Sequence, residues 1–149
     1  MPIIKVKAGQ KIKLKEIDSN DTGQFKSKKE ANKILAQNIE RMAELQNVLY
    51  AEDKHALLIV LQAMDAGGKD GTIRKIMSGV NPQGVQVTSF KKPTDRELSH
   101  DFLWRIHKAV PPRGIIGIFN RSHYEDVLVV RVRNLVPPAV WQKRYHHIN

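Results

Sequence analysis

The chain has 149 residues, which suits one domain with a sizeable buried core. Hydrophobic residues make up 41% and charged residues 27%, as in ordinary soluble globular proteins. No apolar run approaches the roughly 20 residues that span a bilayer, and the count of zero cysteines excludes disulfides and thiolate metal sites.

The charge balance is strongly basic. Lys and Arg number 25 against 15 Asp and Glu, a net charge of +10, which favours a polyanionic partner such as nucleic acid, a nucleotide, polyphosphate or an anionic membrane. The alternative is a basic but otherwise unremarkable solvated surface. Because the N-terminus MPIIKVKAGQ lacks a signal-peptide apolar core, we expect a cytoplasmic protein without a membrane partner.

The first part of the chain predicts an arm and a helix. Residues 1–26 are lysine-rich and alternate as a short strand does, so we expect a basic N-terminal arm, followed by a core over 27–149. Ser27 and Glu30 have capping-box spacing. An apolar stripe follows at helical spacing and predicts a helix over about 28–51; its members are Ala31, Leu35, Ile39, Met42, Leu45 and Leu49.

The rest of the chain alternates strands with helices. The apolar run at 56–61 predicts a strand covered on both faces, followed by a helix over about 69–79 and a strand at 85–90. Thr94 and Glu97 form a second capping box, ahead of a single helix with the stripe Leu98, Phe102, Ile106 and Ala109.

A second apolar strand is predicted at 114–119. The stretch VLVVRVRN leaves strand and helix open, and a final helix is predicted after Pro137 and Pro138. The alternation predicts an α/β fold with a parallel sheet.

The stretch QAMDAGGKDGT behind the first apolar strand has the composition of a phosphate-binding loop. Its glycines at 67, 68 and 71 allow a tight turn and close approach to a ligand, and the helix that begins near Lys69 directs free N–H groups and a positive dipole end into the loop. Lys69 adds a mobile cation. The candidate phosphate-binding residues are Ala66, Gly67, Gly68, Lys69, Asp70, Gly71 and Thr72.

The loop departs from the usual G-x-x-x-x-G-K-[ST] pattern at two positions. Ala63 replaces the first glycine, which is acceptable where that residue does not need a positive φ, and Asp70 cannot supply the hydroxyl that normally holds Mg²⁺. Asp65 is a candidate for the metal instead, since Mg²⁺ prefers carboxylate oxygen. An ordinary glycine-rich turn with a solvated lysine remains the alternative.

A second polar cluster follows the other apolar strand, where ligands gather in open α/β sheets. Arg121 lies just past the strand end, placed to reach phosphates that the first loop holds, and Asn120 stands where nucleotide kinases commonly have a metal-organising Asp. Lys91 and Lys92 follow the strand at 85–90 and either line an anion track or lie in a solvated turn before Pro93.

Three segments together resemble the polyphosphate kinase 2 family: LQAMDAGGKDGTI, TSFKKPTDRELSHDFLWRIHKAVPPRGIIGIFNRSHYEDVLVVRV and WQKRYHHIN. The resemblance covers about residue 28 to the last residue. Residues 65–69 (DAGGK) are similar to the family's D-x-x-G-K motif. Residues 119–122 (FNRS) are similar to its strand-end F-[DN]-R-S motif.

The resemblance implies a P-loop NTPase-like three-layer α/β/α fold and Mg²⁺-dependent phosphoryl transfer between inorganic polyphosphate and a nucleotide (AMP or ADP, GMP or GDP). It implies that Asp65 organises metal and acceptor phosphate, and that Lys69 and Arg121 bind and neutralise the transferring phosphate. Asn120 resembles the branch of the family with Asn there, which argues against a direct metal role.

Family members continue beyond the final helix into a lid, so we expect a core that stops before the lid, whether through natural truncation, deliberate shortening or proteolysis. A homo-oligomer is expected, because Val140, Trp141 and Ile148 leave an apolar side on the last helix. Two alternative functions stay open: an ATP-dependent nucleoside monophosphate kinase, and a non-catalytic basic nucleic-acid-binding module. The second lacks an aromatic-basic recognition motif and leaves the glycine loop unexplained.

Overall fold

The computed structural model describes residues 6–18 and 20–149. The chain divides into two compact units, 1–38 and 39–149. Its helices are α1 (Lys28–Glu52), α2 (Lys69–Ile76), α3 (Asp95–Leu98), α4 (Trp104–Ala109), α5 (Glu125–Val132) and α6 (Pro138–Ile148), and its strands are β1 (Leu57–Leu61), β2 (Val85–Ser89) and β3 (Ile116–Asn120). Across the described residues, none of the helices combines the length and the apolar character needed to cross a bilayer.

The three strands form one parallel sheet in the order β1-β3-β2, which confirms the predicted α/β class. Strand β3 lies in the centre and is buried along most of its length, as its continuous apolar sequence predicts. The core beside it contains Phe90, Ile106, Ala109 and Phe119, and the two phenylalanine rings meet edge to face with centroids 4.8 Å apart.

The prediction that the first apolar strand is covered on both faces was wrong. Strand β1 lies at an edge of the described sheet and pairs only with β3. Leu57 and Leu58 are 48% and 39% exposed. An apolar run therefore does not distinguish a central strand from an edge strand, because the number of strands that pair with it is not a property of its own residues.

Two other expectations need correction. The Leu98–Ala109 stripe predicts one helix, but the structure has α3 and α4 separated by a turn, because Ser99 Oγ donates to the Arg96 carbonyl and the Asp101 carboxylate accepts the Leu103 amide. Such side-chain bonds to the backbone compete with helix continuation.

The predicted strand-like arm shows no strand in its described part, where a short 3₁₀ helix forms at Leu14–Glu16; residues 1–5 lie outside the described residues.

The remaining elements follow the sequence closely. Helix α1 begins after Ser27, whose hydroxyl accepts the Glu30 amide, and the capping box at Thr94 and Glu97 forms in both directions. The ambiguous stretch VLVVRVRN is helical in α5, and the final helix α6 begins at Pro138, as predicted. These elements agree with local sequence signals.

Candidate functional site

The strand register brings the two predicted clusters to the same edge of the sheet. Leu61 at the end of β1 pairs with Asn120 at the end of β3, which pairs in turn with Ser89 at the end of β2. The Arg121 amide donates to the Leu61 carbonyl and the Phe90 amide donates to the Asn120 carbonyl, each at 3.0 Å. The segments that leave the three strands are therefore neighbours at this edge.

The loop between β1 and α2 has the backbone of a tight phosphate loop. Ala66 and Gly68 adopt left-handed conformations with φ of +62° and +80°, and Gly68 precedes the first residue of α2. A Cβ on Gly67 would lie 2.9 Å from the Met64 carbonyl oxygen, so the turn is too tight for a side chain there. Ala63 is not among the positive-φ residues, which explains why alanine is accepted at this position.

An open cavity of about 660 Å³ lies over this edge. Its lining unites the loop, the end of β2 and the end of β3, and consists of Asp65, Ala66, Gly67, Gly68, Lys69, Asp70, Gly71, Ser89, Phe90, Lys91, Asn120 and Arg121. The amide N–H groups in the first turn of α2 have no acceptors within the helix, and the dipole of the helix favours negative charge there. The cavity can thus accept an anion larger than a single phosphate.

Arg121 and Asp65 form an ion pair across the cavity. The Asp65 side chain is 87% exposed and that of Arg121 is 38% exposed, so solvent screens the pair and its contribution to stability is small. Arg121 also has φ of +63°, a left-handed conformation that is unfavourable for a residue with a Cβ. Strained backbone of this kind is concentrated at functional positions.

Lys69 folds back over the loop that precedes it. Its ammonium group donates to the carbonyl oxygens of Ala63 and Met64, both at 2.9 Å. These are neutral acceptors at an exposed position, which an anionic phosphate oxygen can replace because hydrogen bonds between two charged groups are stronger. The loop thereby holds the lysine next to the anion position.

Asn120 and Asp70 join the two predicted clusters directly. The Asn120 side-chain amide donates to the Asp70 carboxylate at 2.5 Å, from the end of β3 to the first turn of α2. This hydrogen bond holds the side-chain amide of Asn120 in an orientation that faces the loop.

Most of the predicted site residues come together in this cavity, but two do not. Thr72 donates from its hydroxyl to the Gly68 carbonyl at 3.0 Å and does not line the cavity, and Lys92 lies outside the lining as well. Sequence reasoning missed Ser89 and Phe90. The signal that identifies them is their position at the carboxyl end of a parallel strand, the same signal that identified Asn120.

A second group of residues, also missed, supports the floor of the site. Ser122 is fully buried and donates from its hydroxyl to the Gln62 side chain at 3.1 Å, while the Gln62 amide donates to the Glu125 carboxylate at 2.6 Å. These bonds tie the start of the phosphate loop to the start of α5. Ser122 directly follows Arg121 in the chain, so these bonds anchor the backbone next to that arginine.

His123 follows this segment and is partly buried. Burial lowers the pKa of its imidazole, and the carboxylate of Asp126 opposes that effect. Its Nδ1 atom is buried and has no hydrogen-bond partner among the described residues. The folded protein therefore favours the neutral imidazole.

Comparison with known proteins identifies relatives of this chain. The family model for polyphosphate kinase 2 (PPK2) matches residues 25–149. The chain is 57% identical over 145 residues to an AMP/ADP-polyphosphate phosphotransferase of Meiothermus ruber, covering 97% of this chain and 54% of that protein.

The chain is also 46% identical over 156 aligned residues to an ADP-polyphosphate phosphotransferase of Rhodopseudomonas palustris, again with 97% and 54% coverage. A crystal structure of polyphosphate kinase 2 from Arthrobacter aurescens TC1 superimposes with a TM-score of 0.90 at 44% identity, covering 99% of this chain and 53% of that one. The chain thus spans about half the length of the relatives it matches, and its α/β fold is P-loop NTPase-like.

Proposed function

This chain belongs to the polyphosphate kinase 2 family, and we propose that it takes part in phosphoryl transfer between inorganic polyphosphate and a nucleoside mono- or diphosphate. The observation that carries the proposal is the convergence of a glycine loop, a helix N-terminus and the cations Lys69, Lys91 and Arg121 on one open cavity. The relatives named for AMP and ADP make these nucleotides the first acceptors to test.

The roles of the cations follow from their positions. Lys69 leaves the loop carbonyls to bind a phosphate oxygen, and Arg121 approaches from the end of the neighbouring strand, so that two cations flank one phosphoryl group. Charge neutralisation and in-line positioning are the main contributions that a protein makes to phosphoryl transfer. Two cations held on neighbouring segments of the cavity can stabilise negative charge that develops in the transition state.

A Mg²⁺ ion fits the donor atoms at the cavity. The described residues contain no group of three or more His, Cys, Asp or Glu suited to hold a metal by themselves. Mg²⁺ commonly binds through one or two carboxylates together with substrate phosphates and water, however, and the exposed carboxylate of Asp65 offers such a ligand. When bound, Mg²⁺ would neutralise phosphate charge and orient the phosphates.

Asn120 has a supporting role in this proposal. Its side-chain amide nitrogen donates to the Asp70 carboxylate, so it helps to hold the first turn of α2. Asp70 accepts this bond in the first turn of α2, and its carboxylate offsets part of the positive charge of the neighbouring Lys69.

The decisive experiment measures phosphate transfer with polyphosphate as donor, AMP, ADP, GMP or GDP as acceptor, and Mg²⁺ present. Lys69→Ala is expected to lower the rate on the order of a hundredfold, the scale of a lost transition-state contact. Lys54→Ala is the matched control. Lys54 is exposed and pairs with Glu52, and it precedes β1, so it lies at the amino-terminal end of the strands, away from the cavity. Near-parent rates in Lys69→Ala would contradict the site assignment.

Replacing the donor tests the nearest alternative function. An ATP-dependent nucleoside monophosphate kinase would use the same loop and cations, so the structure of the cavity suits both activities. If ATP supports transfer to a nucleoside monophosphate and polyphosphate does not, that alternative is correct.

Binding measurements separate a phosphate site from a nucleic-acid module. Polyphosphate affinity should fall steeply as salt rises, since the polyanion releases condensed counterions on binding. Long polyphosphate should bind more tightly than tripolyphosphate. Equal or tighter binding of duplex DNA at the same salt, without competition by nucleotide, would favour the nucleic-acid module.

The expected homo-oligomer stays a prediction. Val140 in α6 is 41% exposed, whereas Trp141 and Ile148 are half-buried. Sedimentation velocity at several concentrations tests whether this helix supports self-association.

A further inference from the structure

A buried group of charges lies behind the cavity wall. The Asp126 carboxylate of α5 lies between two guanidinium groups, 3.5 Å from Arg105 of α4 and 3.6 Å from Arg144 of α6. The exposed fractions of the Asp126, Arg105 and Arg144 side chains are 12%, 8% and 17%. Burial raises the pKa of the Asp126 carboxyl, and the two guanidinium groups oppose that rise.

Arg105 connects this group to the wall of the cavity. Its guanidinium donates to the Lys91 carbonyl at 2.9 Å and lies 5.4 Å from the centre of the Phe90 ring. Phe90 and Lys91 both line the cavity, where they follow β2. A single side chain thus contacts two consecutive residues of the wall from behind.

Arg144 differs from Arg105 in this respect. It donates to the Asp126 carbonyl at 2.9 Å, and its guanidinium lies 4.8 Å from the Phe102 ring. Neither Asp126 nor Phe102 lines the large cavity. Both arginines therefore share one carboxylate and one kind of aromatic contact, but only Arg105 contacts the wall.

Stability alone is a weak reason for this arrangement. Removing charges from water is costly, and a buried ion pair often contributes no more than well-packed apolar residues of similar size. The fixed fork of a guanidinium, however, can form an ion pair with a carboxylate and donate a hydrogen bond to a carbonyl at the same time. Such a group can hold one backbone segment in a defined position.

We propose that Arg105, held by Asp126, is a positioning residue that fixes the Phe90–Lys91 segment and so keeps Lys91 at the wall of the phosphate cavity. This inference rests on the proposed function for its consequence in binding. The structural part, that Arg105 fixes the segment, does not depend on any ligand.

Hydrogen exchange tests the structural part without a ligand. The Phe90 amide, which donates to the Asn120 carbonyl, reports on the wall, and the Ile118 amide of β3 reports on the sheet. In Arg105→Gln, protection of Phe90 should fall roughly tenfold more than that of Ile118, the equivalent of about 1.4 kcal/mol of local opening. In Arg144→Gln, the two amides should change equally.

Binding of tripolyphosphate, measured by calorimetry, tests the consequence. Arg105→Gln should weaken binding roughly fivefold to tenfold, whereas Arg144→Gln should leave the Kd within about twofold even though both variants lower the unfolding midpoint. Arg105→Lys serves if Arg105→Gln fails to fold: one ammonium group can keep the Asp126 pair but does not reproduce the fork, so the loss of affinity should persist.

A double-mutant cycle connects Arg105 to Lys91. Lys91→Ala should weaken tripolyphosphate binding, and adding Arg105→Gln should then have little further effect, because the group being positioned is gone.

Equal effects of Arg105→Gln and Arg144→Gln on exchange and on Kd would overturn the inference and leave a purely stabilising ion group. If the parent protein binds no tripolyphosphate, the proposed function fails, while the exchange data still decide the positioning.

Discussion

Replacing Arg121 by glycine should separate the stability of the site from its ability to bind phosphate. Arg121 has φ of +63°, and a left-handed conformation costs a residue with a Cβ roughly 1–2 kcal/mol. Glycine removes that cost but loses about 0.5–1 kcal/mol through the greater freedom of the unfolded chain. Loss of the exposed pair with Asp65 removes at most about 1 kcal/mol.

These terms nearly cancel, so the free energy of unfolding of Arg121→Gly should stay within about 1 kcal/mol of the parent value. Binding should behave differently. A hydrogen bond to a charged group contributes about 1.5–3 kcal/mol, and the 38% exposure of the Arg121 side chain favours the lower end. The Kd for tripolyphosphate should therefore rise roughly tenfold or more.

The assay combines urea unfolding with calorimetric titration of tripolyphosphate and of ADP in the same buffer. Arg113→Ala is the control for the lost charge, because Arg113 is exposed and precedes β3 at the amino-terminal end of the strands, away from the cavity. Arg121→Ala is the control for the backbone, since it removes the guanidinium but keeps the left-handed strain.

Unchanged tripolyphosphate affinity in Arg121→Gly would refute the role of the guanidinium. A loss of stability well beyond 1 kcal/mol in Arg121→Gly would refute the estimate of backbone strain, even if the affinity falls as expected.

Three further predictions concern metal use, packing and pH. Asp65→Asn should reduce Mg²⁺-dependent transfer more than nucleotide affinity, which a Mg²⁺ titration of the variant measures; full rescue by excess nucleotide alone would argue against a metal role. Gly117→Ala should lower the free energy of unfolding, measured in urea, by about 1–3 kcal/mol, because the added Cβ would lie 2.6 Å from Cγ of Pro111. Gly71→Ala is the control: its Cβ would meet nothing within 4 Å, so it should be neutral or stabilising. Burial lowers the pKa of His123 below its ordinary 6.5, so its contribution to stability is present above that pH and is lost as the pH falls toward the folded-state pKa. Urea unfolding from about pH 7.5 to about pH 5.5 should show a smaller loss in His123→Gln than in the parent, and equal slopes would contradict the assignment.

The glycine loop between β1 and α2 could be predicted as a candidate phosphate site from sequence because its residues are contiguous. Residues 65–69 lie between an apolar strand and a helix, and glycine, lysine and aspartate each have a local reason to be there. The Ser27 side-chain cap, the capping box at Thr94 and the proline at the start of α6 likewise act within one helical turn. Signals of this range do not depend on what packs against them.

The end of β3 could be identified for a related reason. In a parallel sheet the carboxyl ends of all strands lie at one end, so the sequence predicts that Arg121 and the loop meet there. Ser89 and Phe90 satisfy the same rule and were missed because neither residue is charged or belongs to a glycine motif.

Other features depend on contacts between residues far apart in the chain. The order β1-β3-β2 makes the first apolar strand an edge strand, and no property of its five residues distinguishes that position from the centre. The turn between α3 and α4 interrupts an apolar stripe that periodicity alone predicts as one helix.

The contact of Arg105 with the Lys91 carbonyl joins residues 14 apart, and a buried carboxylate on a third element pairs with Arg105. The sequence by itself therefore determined the local conformations and the chemistry of the loop, since these depend on neighbouring residues. Tertiary structure alone decided which strand is central, which side chains form the cavity wall and what holds that wall, because packing and strand register arise only when distant segments meet.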